Sequence, residues 1–96
     1  MWPFDQPKNC ATIVSQAVLS GVRPILLVSH DEDDHAWQFL DGPAREPDDA
    51  VVVSLGEVVE IDPSVLAVAD LQPGWIATRS SVEAKWVCKK AEDGAR

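Results

Sequence analysis

The chain has 96 residues, a formal net charge of −8 and 46% hydrophobic residues, values typical of one folded domain. No apolar run approaches the roughly 18 residues that a membrane-spanning helix needs. The N-terminus also lacks the basic and apolar segments of a signal peptide. We therefore expect a cytoplasmic protein with one domain over residues 10–90, an irregular N-terminal arm over residues 1–9, and a frayed tail over residues 91–96.

Segments rich in β-branched, apolar and aromatic residues predict strands. They are residues 11–14, 24–29, 36–40, 75–79 and 84–88. The polar connector His30–His35 joins the second and third segments as an antiparallel hairpin, and residues 80–83 join the last two. Residues 51–53 are either a short strand or the lead into a helix, after the loop-like stretch 42–50.

Three capping signals predict short helices. Ser15 can cap a helix that runs through Leu19. Ser54 and Glu57 form a capping box before a helix that ends near residue 61. Asp62, followed directly by proline, begins another short helix. The expected fold is therefore α+β, with an antiparallel sheet of four or five strands and two or three short helices on one face.

Aromatic residues and cysteines leave two alternatives open. Trp2 and Phe4 lie on the arm, where they either dock onto the domain or are exposed for a partner. Of the other tryptophans, at positions 37, 75 and 86, we expect at least two to pack in the core, although an exposed one would anchor an interface. The isolated cysteines at positions 10 and 88 indicate reduced thiols, unless they lie on neighbouring strands and pair under oxidising conditions.

Charge is distributed unevenly along the chain. Residues 30–62 contain eleven acids and a single base, Arg45, whereas residues 79–90 contain four bases and one acid. An acidic surface repels phosphate backbones, so we expect no nucleic-acid partner. The acidic stretch could instead steer a basic protein partner, or it could simply keep the protein dispersed in water.

The connector His30–His35 is the one segment that resembles a metal site, because two imidazoles bracket four carboxylates. Its spacing differs from a calcium loop, and a solvated acidic turn is the favoured interpretation. The sequence has no nucleophile elbow and no glycine loop that would hold phosphate. We therefore predict a non-enzymatic protein without catalytic residues, metal or cofactor.

The order of several short motifs resembles a family of small bacterial domains that includes immunity protein 33 of polymorphic toxin systems. The motifs are Ile13-Val14-Ser15, Gly21, Ala36-Trp37-Gln38-Phe39-Leu40-Asp41-Gly42, Val53-Ser54-Leu55-Gly56-Glu57, Asp62-Pro63-Ser64 and Pro73-Gly74-Trp75. The resemblance covers residues 11–87 and implies a bacterial protein that neutralises a toxin. It brings no catalytic residues with it.

Together these observations predict a binding protein that occludes a basic toxin. The expected partner-binding residues are Asp31, Glu32, Asp33, Asp34, Trp37, Asp48 and Asp49. The alternative is a housekeeping accessory domain that binds a small ligand or metal through the His30–His35 loop.

Overall fold

A computed structural model describes residues 2–33, 35–42 and 50–90. The described elements are six strands, two α-helices and one 3₁₀-helix. In chain order they are β1 (Ala11–Ser15), α1 (Gln16–Leu19), β2 (Leu27–His30), β3 (Trp37–Leu40), β4 (Ala50–Ser54), α2 (Leu55–Ile61), the 3₁₀-helix (Pro63–Val68), β5 (Trp75–Thr78) and β6 (Val87–Lys90).

The α+β class is confirmed, but the expected sheet of four or five antiparallel strands is wrong in detail. The described strands form one six-stranded sheet in the order β4-β1-β3-β2-β5-β6. It is mixed, because β1 pairs with β3 in parallel while every other pair is antiparallel. Residues 51–53 belong to the sixth strand, β4, which pairs with β1 along its full length.

One face of the sheet carries the core. The register aligns Val14, Phe39, Val28 and Ala77 across four neighbouring strands, and each of these side chains has 0% of its surface exposed. The opposite face carries the row Val52, Ile13, Gln38, Ser29, Ile76 and Lys89, whose members are half-buried or exposed. The core therefore lies on one side of the sheet, where Leu55, Val58 and Val65 from the helices join it.

The local signals at the two later helices are confirmed. Ser54 Oγ accepts the Glu57 N–H and the Glu57 carboxylate accepts the Ser54 N–H, which is the complete capping box. Asp62 Oδ1 accepts the Ser64 N–H, and Pro63 follows at the first position of the 3₁₀-helix. These contacts fix where α2 ends and where the chain turns into the next helix.

The last strand differs from its predicted position. It spans Val87–Lys90 rather than 84–88, because a turn bond from the Ala84 N–H to the Ser81 carbonyl holds the chain outside the sheet there. Trp86 lies just before the strand with its ring 4.2 Å from the Arg79 guanidinium. Alternation places Cys88 on the same face as Ala77, yet Cys88 is exposed, so the helical layer does not reach β6.

The thiols of Cys10 and Cys88 are both free. Cys10 directly precedes β1, and Cys88 lies in β6 at the far edge of the sheet. They are not on neighbouring strands, so they do not meet the condition for pairing. No helix among the described residues is long and apolar enough to cross a membrane.

Arg79 joins the sheet to the 3₁₀-helix. Its guanidinium group is almost completely buried and donates hydrogen bonds to the Ile25 carbonyl at 3.0 Å and the Ser64 hydroxyl at 3.1 Å. It also forms an ion pair of 3.0 Å with the Asp62 carboxylate. The Asp62-Pro63-Ser64 turn therefore supplies both a helix cap and the partners of a buried cation.

Replacing Arg79 with leucine should lower the free energy of unfolding by roughly 3 kcal/mol, because the Ile25 carbonyl and the Asp62 carboxylate lose their donor. Urea denaturation followed by tryptophan fluorescence measures this change. Arg23→Leu is the matched control, because Arg23 is exposed and its ion pair with Asp41 should contribute less than about 1 kcal/mol. Equal losses in the two variants would contradict a structural role specific to Arg79.

Candidate functional site: an acidic turn at the end of the central hairpin

The acidic turn, defined here as Asp31–Asp33, lies at the end of the β2–β3 hairpin. The Asp31 N–H donates to the Ala36 carbonyl at 2.8 Å, and the Asp31 carboxylate accepts the Asp33 N–H at 2.7 Å. These bonds fix the backbone of the turn. Asp31 is half-buried, whereas Glu32 and Asp33 are exposed, so two carboxylates project into water from a defined position.

A second segment of the chain supports this turn. The Gly74 N–H donates to the His30 carbonyl at 2.7 Å, and a Cβ at Gly74 would lie 3.3 Å from Glu32 Oε1. Gly74 has a φ of +88°, a left-handed conformation that glycine adopts without strain. The loop before β5 therefore approaches the acidic turn closely and limits where the Glu32 side chain can go.

The remaining predicted residues have different outcomes. Asp34, Asp48 and Asp49 lie outside the described residues. Trp37 is in β3 with 0% of its surface exposed. A partner that docks on the surface cannot reach this indole, so the prediction of Trp37 as a contact residue is wrong and its role is core packing.

His30 was expected in the polar connector, but it is the last residue of β2 and is 2% exposed. Its Nδ1 lies 2.7 Å from the Leu71 carbonyl, an acceptor, so Nδ1 carries the proton of this hydrogen bond. Its ring stacks on Trp37 with centroids 4.0 Å apart. Nε2 has no hydrogen-bond partner among the described residues, although the Asp5 carboxylate lies 3.5 Å away.

The N-terminal arm docks against this buried imidazole. Phe4 is buried and meets Trp37 edge to face at 5.0 Å between centroids. The Asp5 carboxylate accepts the Trp37 indole N–H at 3.3 Å, and the Gln6 amide donates to the His35 carbonyl at 2.8 Å. Of the two alternatives for the arm aromatics, the structure shows docking, with Trp2 half-buried and Phe4 in the core.

The two imidazoles of the connector lie close together, with ring centroids 5.9 Å apart, but in different surroundings. The His30 imidazole is enclosed by the arm and β3, whereas His35 is exposed with its backbone at a φ of 60°. Across residues 2–33, 35–42 and 50–90, no group of three or more histidine, cysteine, aspartate or glutamate side chains is placed to hold a metal ion. The exposed carboxylates of the turn offer negative charge and hydrogen-bond acceptors.

A cleft of about 480 Å³ lies elsewhere, between the end of α1 and the end of α2. Three exposed apolar side chains, Val22, Ile61 and Val82, line it together with the buried Ile25. Arg23 is the basic residue of its lining. Nothing in the linear sequence indicated this cleft, because its apolar residues come from three separate segments.

Sequence reasoning also missed the pairing of His30 with Trp37. The signal was available in the hairpin register, since a strand that ends at His30 places that residue opposite the first residue of β3. A histidine beside tryptophan on the covered face of a sheet belongs to the core rather than to the connector. The roles of Asp5 and Leu71 had no comparable signal, because both contacts join residues distant in sequence.

Comparison with known proteins gives partial matches. A segment of the CTP synthase of Synechococcus sp. (strain WH7803) is 35% identical over 80 residues, which is 80% of this chain and 15% of that enzyme. The CTP synthase of Parasynechococcus marenigrum (strain WH8102) is 36% identical over 74 residues, or 73% of this chain and 14% of the enzyme. The chain thus spans about one seventh of the length of these curated relatives.

The chain matches no protein-family profile, and no solved structure is significantly similar to it.

Replacing Phe4 with alanine should lower the free energy of unfolding by roughly 3 kcal/mol, because it removes a buried ring that contacts Trp37 and leaves a cavity. Chemical denaturation measures the change, with the exposed neighbour substitution Pro3→Ala as control. A loss below about 0.5 kcal/mol, the range of ordinary surface substitutions, would show that the docked arm does not stabilise the domain.

Proposed function

We propose that this chain is a non-enzymatic bacterial binding protein that neutralises a protein toxin by occluding its active surface, as the resemblance to the immunity protein 33-like family implies. The observation that carries the proposal is the acidic turn Asp31–Asp33, which holds exposed carboxylates on a hydrogen-bonded backbone. A fixed group of like charges is what a complementary basic surface recognises.

Electrostatics and rigidity would act at different stages of binding. The net charge of −8 attracts a basic partner over distances up to the Debye length, about 8 Å at physiological salt. The fixed turn then lowers the entropy lost on contact, because its backbone is already ordered before the partner arrives. Occlusion needs no reacting group, so the proposal is independent of any catalytic residue.

The first test is co-expression with the product of the neighbouring gene. If that product is the cognate toxin, this chain should restore growth and purify with it as a stable complex. A neighbouring gene product that is harmless alone, or a toxin whose effect this chain does not reduce, would contradict the proposed function.

The second test removes charge from the turn. The double variant Glu32→Gln, Asp33→Asn should slow association with the toxin by about 3- to 10-fold at low salt, because two steering charges are lost while hydrogen-bond acceptors remain. Stopped-flow fluorescence measures the rate. The matched control is Asp70→Asn, Glu83→Gln, which makes the same charge change at exposed positions outside the turn.

An equal slowing in both double variants would show that only net charge matters. An association rate that does not change with salt would contradict steering altogether.

We propose as a second candidate a housekeeping accessory domain, and the match to segments of two CTP synthases favours it. Such a domain would bind a small ligand. The His30–His35 connector is a poor place for this because the His30 imidazole is enclosed, whereas the cleft at Val22 and Ile61 is open and has Arg23 in its lining. Apolar clefts of this kind suit ring systems, but a negatively charged ligand would have to compete with Asp41, which lies 2.8 Å from Arg23, and would lie near Asp62 in the same lining.

Titration with CTP tests this candidate directly. Amide NMR shifts confined to residues 18–25, 61–62 and 82, lost in Arg23→Ala, would support a ligand-binding accessory domain. The control Lys85→Ala removes an exposed cation elsewhere and should leave the shifts unchanged. No shift at millimolar CTP would remove CTP as the ligand of this cleft.

A further inference from the structure

The two edges of the sheet differ in chemical character. β6, at one edge, carries Lys89 and Lys90, and charged side chains of this kind discourage pairing with a further strand. β4, at the other edge, reads Ala-Val-Val-Val-Ser and has no charged residue. Its central residue, Val52, is 66% exposed. An uncharged, β-branched edge strand is a site where another strand can add.

The alternation of hydrogen-bonded and non-hydrogen-bonded pairs along the β1–β4 ladder shows which backbone groups of β4 point away from β1. The Leu55 N–H donates to the Cys10 carbonyl at 2.8 Å, one residue beyond the last pair of the β1–β4 register. Hydrogen-bonded pairs alternate along an antiparallel ladder. Val53 and Val51 therefore bond to β1, while Val52 directs its N–H and carbonyl away from β1.

Ser54 supports this assignment independently. Because Ser54 is two residues from Val52, the same alternation directs its N–H away from β1. The Glu57 carboxylate accepts this N–H at 3.1 Å. The capping box thus closes the edge at the C-terminal end of β4. The outward N–H and carbonyl of Val52 remain next to it, on a strand that pairs with β1 alone among the described strands.

The side chains define what an added strand would need. Val51 and Val53 lie on the covered face, half-buried against the core, so they favour apolar residues on an added strand. Val52 lies on the open face and accepts a polar or apolar neighbour. The partner segment therefore alternates apolar residues with residues of either kind, as ordinary half-buried strands do.

Charge selects among the occupants of this edge. Glu57 and Glu60 are exposed on α2, directly after β4, and the chain as a whole has a net charge of −8. A second copy would bring the same acidic groups against them and is disfavoured by repulsion. A segment with lysine or arginine at the end that meets α2 is favoured instead.

We infer that the outer edge of β4 is a strand-addition site for an extended segment of a partner protein with alternating apolar residues and a basic end beside α2. The inference deepens the proposed function, on which its biological meaning rests, by naming a surface that would hold the partner after electrostatic encounter. Main-chain bonds to Val52 supply affinity, and the carboxylates of Glu57 and Glu60 select the basic end.

Synthetic peptides test the edge without a toxin. The probe is Lys-Lys-Thr-Val-Thr-Val-Thr-Lys-Lys, compared with the same core between glutamates and with a version in which proline replaces the central threonine. We expect amide NMR shifts at Ala50–Ser54 with the lysine peptide, affinity at least about 10-fold weaker with the glutamate peptide, and no binding with the proline peptide.

Two variants of this chain locate the site. Val52→Pro removes an N–H that points away from β1, so the β1–β4 ladder stays intact while peptide binding should fall by at least about 10-fold. Val52→Lys keeps the N–H and places a cation beside the basic peptide, so it should also weaken binding. The control is Val87→Lys on β6, where the side chain is 62% exposed, and it should leave binding unchanged.

Three results would overturn the inference: no peptide binding, shifts centred on β6, or a dimer of this chain that Val52→Pro abolishes, which would make a second copy the occupant. Peptide binding without rescue of growth in the co-expression test would sustain the strand-addition site and remove the toxin. Rescue of growth without peptide binding would support the toxin-neutralising function and exclude the strand-addition site.

Discussion

The buried row of Val14, Phe39, Val28 and Ala77 runs across four adjoining strands, and the rest of the fold depends on covering it. Two short α-helices and one 3₁₀-helix provide that cover over the centre of the sheet. They are too short to reach both edges, so β6 is exposed along its whole length and β4 is only half-buried. A narrow covering layer on a wide sheet therefore leaves two edges that must be protected in other ways.

The N-terminal arm completes the core where the helices do not reach. Phe4 covers Trp37 with an apolar ring, and Asp5 gives the Trp37 indole an acceptor. His30 is buried in the same place, where the Leu71 carbonyl accepts the hydrogen bond of its Nδ1 while Nε2 has no hydrogen-bond partner among the described residues. The arm thus packs as part of the folded core, although its described residues, 2–9, form neither helix nor strand.

Local sequence signals correctly predicted the helix caps and the central hairpin. The capping box at Ser54, the cap at Asp62 and the hairpin of β2 and β3 all depend on residues close together in the chain. The parallel pairing of β1 with β3 is a different matter, because the hairpin partner β2 is inserted between them in sequence but not in the sheet. No short-range pattern encodes that choice. The mixed sheet follows from it, whereas the sixth strand is one of the two alternatives left open for residues 51–53.

The burial of Arg79 and Trp37 also depends on contacts that local sequence patterns do not predict. Arg79 belongs to the basic stretch 79–90, yet its guanidinium is buried against Ile25, Ser64 and Asp62. Trp37 was expected to be able to contact a partner and lies in the core instead. Composition predicts the sign of the charge on a surface, but the burial of a particular side chain depends on partners far away in the chain.

Attracting a partner and holding it in a complex depend on different features of a protein surface. Exposed carboxylates at Glu32 and Asp33 would attract the proposed basic partner, but attraction alone does not hold a complex together, since water and salt screen exposed charges. Lasting contact needs directional bonds or buried apolar surface. In the proposed complex the outward backbone groups of Val52 and its uncharged neighbours would supply both at one edge, whereas the lysines of β6 disfavour pairing at the other.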